Sequence, residues 1–314
     1  MTKRAFVFPG QGSQAVGMGQ ALAEAFPVAR QVFEEVDDAL GLALSRLMAE
    51  GPEDTLRLTE NAQPALMASS LAVLRVLETE GGVSLGQIAS FVAGHSLGEY
   101  SALTAAGSLT LGDAARLLQI RGRAMQQAVP VGEGAMAALL GLDFDVAVEV
   151  AAAAADDEIC VAANDNAPGQ VVISGHAAAV DRAIELAKEK GGRRSIKLPV
   201  SAPFHCPLMA PAAEAMAAAL EGVMLAPPVV PLIANVTASP ISDPETIKAR
   251  LVDQVTALVR WRESVLCMRA YEVEQQVEIG TGKVLSGMVK RIDRELATVS
   301  VESPADVEAF LKTL

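Results

Sequence analysis

The stretch IASFVAGHSLGEYSALTAAG, residues 88–107, changes character twice along its length. Residues 88–93 form an apolar run of strand character, a turn follows between Gly94 and Gly98, and from about Leu97 the composition is helical. Gly94, Ser96 and Gly98 match the pattern G-x-S-x-G in the strand-turn-helix setting that this element requires. The glycines let the chain reverse sharply. Ser96 is then left exposed at a helix N-terminus, where backbone N–H groups can hold an oxyanion. The reading is an α/β fold with a serine nucleophile at the end of a strand.

An unassisted hydroxyl is a weak nucleophile at neutral pH, so Ser96 needs a base within hydrogen-bond reach. Three histidines are available. His95 adjoins Ser96, a poor position for reaching its hydroxyl, and is expected to pack beside the turn. His176 follows the VVISG run and is expected at the surface. His205 remains, in the loop APFHCPLMAP at 202–211. Its neighbour Cys206 is a poor rival, because adjacent side chains diverge and no cysteine sits on such a turn.

An ordinary α/β-hydrolase would carry its histidine late in the chain and an HGGG loop ahead of the serine. No histidine follows His205 and HGGG is absent, so a second oxyanion donor must come from elsewhere. The opening FVFPGQGSQAVGMG, residues 6–19, offers Gly10, Gln11 and Gly12 after a strand end, where backbone N–H groups can approach an anion. Gly10, Gly12 and Ala15 also fit a dinucleotide fingerprint, with Glu34 and Glu35 near the place of a ribose-binding acid. That fingerprint needs a second strand within about 30 residues. The segment after Gly19 is helical throughout, so the anion served here is expected to be a tetrahedral intermediate. IGTGKVLSG near the end fails the phosphate-loop spacing, with Val277 at the first position and Val284 after Lys283.

In DAARLLQIRGRAMQQ, helical spacing puts Ala114, Leu117, Leu118 and Met125 on one face with Arg121 in its middle. A guanidinium on an apolar face needs an anion, either an internal carboxylate or one carried by a substrate. NAQPALMASSLAVLRVLETEGG reads as a helix with Pro64 in its first turn. ETIKARLVDQVTALVRWRESVLCMRA reads as helical and QQVEIG as a strand. Between residues 131 and 199 the order is strand GAMAALLGL, helix FDVAVEVAAAAA, strands EICVAAN and GQVVISG, helix AAAVDRAIELAKEKGG and strand RSIKLPV. That βαββαβ order is ferredoxin-like, and we read 131–199 as a small domain inserted into a larger α/β domain of 1–130 and 200–314.

With 314 residues, 51% of them hydrophobic, the chain can bury a sizeable core. No apolar run reaches the roughly 18 residues of a membrane span. The alanine-rich region 135–155 is interrupted by Asp143, Asp145 and Glu149. Pro9 and Gly10 cut short the apolar run behind the basic start, which excludes a signal peptide, so a cytoplasmic protein is expected. Cys160, Cys206 and Cys267, odd in number and widely spaced, are expected as reduced thiols. A net charge of −13 argues against nucleic acid as a partner and leaves two basic clusters as places for an acidic one. These are Lys188, Lys190, Arg193 and Arg194, and Lys290, Arg291 and Arg294.

FPGQGSQ, NAQPAL, GHSLGEYSAL, IRGRAMQ, PGQVVISG, VSAPFHCPLM and GTGKVLSGMVKRI together resemble the malonyl-CoA:acyl carrier protein transacylase family, nearly end to end. The resemblance implies an α/β-hydrolase-like large domain with the ferredoxin-like insert, and an acyltransferase of fatty acid synthesis. It implies Ser96 as nucleophile, His205 as base, the N–H groups of Gln11 and Leu97 as oxyanion hole, and Arg121 as the clamp on the malonyl carboxylate. A backbone carbonyl near Gln254 would orient the histidine, Gln63 and Asn164 would line the pocket, and Phe204 resembles the malonyl-selecting form. Malonyl-CoA and acyl carrier protein are the implied partners, with Lys290, Arg291, Arg193 and Arg194 as the carrier's docking residues. No metal, tightly bound cofactor or membrane is called for, and a monomer is expected. A discrete acyltransferase for a polyketide carrier, or a non-catalytic carrier-binding module, are the alternatives.

Overall fold

A computed structural model describes residues 2–200 and 202–314; Ser201, within the VSAPFHCPLM motif, lies outside them. The strands in chain order are β1 (Arg4–Phe8), β2 (Phe91–Gly94), β3 (Gly134–Leu140), β4 (Cys160–Ala167), β5 (Gln170–His176), β6 (Arg194–Lys197), β7 (Leu232–Ala234), β8 (Ser239–Ile241), β9 (Gln275–Ile279) and β10 (Ala297–Val301). They form a six-stranded sheet in the order β10-β9-β1-β2-β7-β8 and a four-stranded sheet in the order β4-β5-β3-β6. All pairs of the larger sheet are parallel except β7 with β8. All pairs of the smaller sheet are antiparallel.

Strand β1 shows why the larger sheet sits where it does. Alternate residues of a strand face opposite ways, and a parallel sheet is covered on both faces. Phe6 and Phe8 enter the core built with the helices Pro27–Leu40, Thr59–Gly81 and Leu111–Gln127. Ala5 and Val7 enter a second core with Trp261, Val265, Leu285 and Val289 from the helices Trp261–Ala270 and Val284–Ile292. Central strands therefore end at a place reached from both helical layers. Ser96 lies just past the end of β2.

The smaller sheet has two unlike faces. Ala137, Leu139, Val171 and Ile173 pack with the helices Phe144–Ala155 and Ala177–Glu189 in a core of their own. Met136, Ala163 and Val172 instead join the main core. Backbone bonds tie β4 to the loop before the Trp261 helix, Asp165 N–H to Val259 O at 3.0 Å and Val259 N–H to Ala163 O at 2.9 Å. Arg262 adds an ion pair at 2.8 Å to the fully buried Asp165.

Three local expectations change. The strand expected over 88–93 begins at Phe91, because Ser84 and Gln87 close a capping box that coils Leu85–Ile88 into a helical turn. The helix carrying Pro64 starts at Thr59, so the proline lies inside it. The helical run from 245 onward is two helices, Pro244–Gln254 and Trp261–Ala270. That last break matters, because the terminal carbonyls of a helix have no partner within it.

Candidate active site

The elbow is built by contacts only glycine allows. A Cβ on Gly94 would lie 1.9 Å from the backbone of Gly98, and one on Gly98 would lie 2.3 Å from Phe8 O. These approaches press the turn against the end of β1. His95 N–H donates to Phe8 O at 3.0 Å, and Gln11 and Gly12 of the loop after β1 line the same cavity as Leu97. Ser96 itself takes φ 54°, a left-handed conformation that costs a non-glycine residue energy and persists only where its surroundings impose it. Two amides impose it here. Ser96 N–H donates to Asn235 Oδ1 at 2.8 Å, and Gln254 Nε2 donates to Ser96 O at 2.9 Å.

Ser96 Oγ is 2.8 Å from His205 Nε2. His205 Nδ1 is 2.9 Å from the carbonyl of Gln254, the last residue of its helix. A carbonyl only accepts, so Nδ1 carries the proton and Nε2 is free to take one from Ser96. The negative end of the helix also favours the imidazolium that would result. Burial and then the Arg121 charge push the imidazole down to about 3, so it is neutral at physiological pH, with Nε2 unprotonated. The N–H groups of Gln11 and Leu97 donate to no group among the described residues. Both residues line the same cavity as Ser96.

That cavity, about 350 Å³, is also lined by Gln63, Arg121, Asn164, Phe204 and His205. Arg121 is 1% exposed. Its guanidinium donates to Gln63 Oε1 and Gln254 Oε1, each at 2.8 Å, and to Ser96 Oγ at 3.2 Å, and its centre lies 5.8 Å from the Tyr100 ring. Every one of these partners is neutral, and no carboxylate pairs with Arg121 among the described residues. Of the two anions expected for it, the internal carboxylate is not in contact, and Nε has no partner at all.

Gln254 lies beneath the cavity and meets the site through both its carbonyl and its amide. His95 is half-buried between the ring of Trp261, 5.7 Å away, and Asn166 Oδ1, 2.8 Å from Nε2. It thus joins the elbow to β4 as well as packing beside it. His176 is half-buried rather than exposed, its Nδ1 accepting the Ile159 N–H. Lys290, Arg291, Arg193 and Arg194 are exposed and pair with no carboxylate among the described residues. Leu140 lies opposite both Gln170 and Arg194, and Arg291 reaches Gln170 Oε1 at 3.5 Å, so the two basic groups share one end of the smaller sheet.

Sequence reading missed three site groups. Asn235, Asn166 and Glu99 are fully or almost fully buried and bonded into the elbow or its neighbour. Glu99 alone carried a signal, a carboxylate three residues beyond Ser96 in a helix otherwise poor in charge. Burial pushes that carboxyl up to about 8, although both its oxygens receive N–H donors.

A hydroxyl bonded to a neutral imidazole, with two free N–H groups and a guanidinium facing the same space, can open an ester or thioester that carries an anion. The chain belongs to the acyl transferase domain family, which matches residues 5–305. Among its relatives, the malonyl CoA-acyl carrier protein transacylase of Bacillus subtilis (strain 168) is 46% identical over 100% of this chain and 98% of its own length. The protein of that name from Escherichia coli (strain K12) is 43% identical over 99% of this chain and 100% of its own. An acyl-carrier-protein-S-malonyltransferase from Bartonella henselae superposes with a TM-score of 0.97 at 55% identity, covering 99% of each chain. A malonyl-transacylase solved in complex with its type II PKS acyl-carrier protein superposes at 0.96 with 43% identity, covering 100% of each.

Proposed function

We propose that this protein is a malonyl-CoA:acyl carrier protein S-malonyltransferase of fatty acid synthesis, working by ping-pong transfer through a malonyl-serine. Ser96 Oγ attacks the thioester carbonyl while His205 Nε2 takes its proton, and Gln11 and Leu97 N–H groups receive the oxyanion. The carbon–sulfur bond then breaks and the CoA thiolate takes the proton back from His205. The phosphopantetheine thiol of the carrier repeats the sequence on malonyl-Ser96, with His205 again as base. Arg121 grips the malonyl carboxylate with its planar fork. Gln63, Asn164 and Phe204 bound the acyl pocket. The observation that carries the malonyl reading is the buried guanidinium beside Ser96 with neutral partners only.

The division into an α/β-hydrolase-like domain of 1–130 and 200–314 and a ferredoxin-like insert of 131–199 belongs to the same reading. The order β4-β5-β3-β6 and the βαββαβ sequence of elements support it. The carrier would dock on Lys290, Arg291, Arg193 and Arg194, an unpaired basic group on a chain of net charge −13. All proposed site residues come from one chain, so a monomer suffices. The chemistry needs no metal or cofactor beyond the CoA of the substrate. No helix among the described residues is long and apolar enough to cross a membrane, in keeping with a cytoplasmic setting. The malonyl-transacylase solved with a type II PKS carrier favours a second reading, in which the carrier serves polyketide synthesis.

Intact-mass measurement after incubation with malonyl-CoA, with and without carrier, tests the reaction. One malonyl group should appear on the enzyme and pass to either carrier's thiol. Free malonate released without carrier would make the protein a hydrolase instead.

A further inference from the structure

Glu99 is 1% exposed, touches no cation directly, and has no part in the proton transfers above. A buried carboxylate is costly, and burial pushes this one up while the Asn235 and Gln254 N–H donors and the Arg121 charge pull it back toward the ionised form, so a glutamine of the same shape would be cheaper unless acceptor-only chemistry is required there. Its surroundings require it. One oxygen takes the main-chain N–H of Asn235 at 2.5 Å, and the other takes Gln254 Nε2. The same Nε2 donates to Ser96 O at 2.9 Å, while Oε1 of that amide accepts from Arg121 at 2.8 Å.

The Gln254 amide is thus polarised, with donors turned toward Glu99 and Ser96 and the acceptor turned toward Arg121. Reversed, it would set an N–H₂ against a guanidinium that has only donors. We propose that Glu99 is a positioning residue: by accepting from Gln254 it fixes that amide's orientation, and through it holds Arg121 where the acyl carboxylate is read. The inference rests on the malonyl-transfer reading for its kinetic consequence but not for its geometry.

The test is Glu99→Gln. Asn235 N–H is main chain and keeps the new amide's oxygen, so its N–H₂ faces Gln254 Nε2, donor against donor. Gln254 must turn, and Arg121 loses its acceptor. Acylation of Ser96 measured with malonyl-CoA and acetyl-CoA in parallel should show the malonyl-to-acetyl preference falling at least tenfold, because only malonyl uses Arg121. Glu99→Asp, which keeps both acceptors, should recover part of that preference. If Glu99→Gln gives no folded protein, Glu99→Ala, which removes the acceptor facing Gln254 Nε2, stands in, and a preference unchanged from wild type in Glu99→Ala then overturns the proposal. Equal loss for both acyl groups, or no loss, also overturns it, since simple packing would act on both alike. A crystal structure of Glu99→Gln reads the geometry directly: Arg121 withdrawn from Gln254 supports the assignment, and a contact kept at 2.8 Å refutes it. If wild-type protein carried no malonyl group, the functional reading would fail while the crystal comparison still decided the role of Glu99.

Discussion

The two sheets meet at one cavity and contribute to it differently. The parallel sheet brings β1 and β2 to the same end, so that Gln11, Ser96 and Leu97 lie on turns pinned by backbone contacts at Gly94, Gly98 and Phe8. The antiparallel sheet lays Met136 and Asn164 along the cavity and carries exposed arginines at its other end. Backbone bonds hold reacting atoms to fractions of an ångström, as the attack on a carbonyl demands. A sheet joined to the rest through β4 and a few side chains can vary what enters without disturbing the nucleophile. On the proposed reading the difference separates the chemistry and the Arg121 clamp from carrier docking, and each half can be attacked on its own.

The largest effect belongs to the parallel sheet. Ser96→Ala should abolish the acyl-enzyme, seen by intact mass, while circular dichroism and thermal unfolding stay close to wild type, because an elbow serine packs little. A malonyl group persisting on that variant would move the nucleophile elsewhere. His205→Ala should slow both half-reactions by about 10²–10⁴-fold, measured separately by rapid quench. If only transfer to the carrier slowed, another base would serve the first step.

A pH profile sharpens the same half. The His205 pKa is depressed to about 3, below the usual 6.5, so the imidazole stays unprotonated as pH falls through the ordinary histidine range. The kcat/KM of the first half-reaction, which reports the free enzyme, should then show no histidine limb between pH 7 and 5. Arg121→Ala removes one of the causes of the depression, so the limb for acetyl transfer should move upward. A limb near 6.5 in wild type would contradict the buried, neutral imidazole.

The smallest effect belongs to the antiparallel sheet. Charge reversal at Arg193, Arg194, Lys290 and Arg291 should raise the carrier's KM by roughly 3- to 10-fold at low salt and leave malonyl-CoA unaffected. Equal damage to both substrates would erase the distinction between the sheets.

Legibility in the sequence divides along physical lines. The elbow could be read because glycine spacing, strand and helix are local, and Phe144–Ala155 lies where its composition predicts a helix. His205 emerged by elimination among three histidines, and the apolar setting of Arg121 emerged from helical spacing. The helical turn Leu85–Ile88 was hidden, since its apolar residues suit a strand as well and only the Ser84 cap decides. Asn235 was invisible, because an asparagine after a three-residue strand has no pattern to mark it. The orienting carbonyl of Gln254 depends on where a helix stops, and composition continued the helix past it. Hydrogen-bonding partners brought together from distant segments, such as Glu99 and Gln254, exist only in the fold.

The central claim is that the Arg121 charge, answered by no internal carboxylate in contact with it, selects an acyl group bearing its own. Charge-assisted bonds contribute about 1.5–3 kcal/mol each, and an unpaired buried guanidinium adds a penalty, so malonyl should be preferred over acetyl by roughly 10²-fold or more. The direct measurement is competition between malonyl-CoA and acetyl-CoA for Ser96 of Arg121→Ala, read by intact mass. Malonyl-Ser96 should disappear and acetyl-Ser96 persist or increase, with Arg121→Lys recovering little because a point charge does not reproduce the planar fork. Undiminished malonyl preference in Arg121→Ala would contradict the account and leave the guanidinium a structural role only.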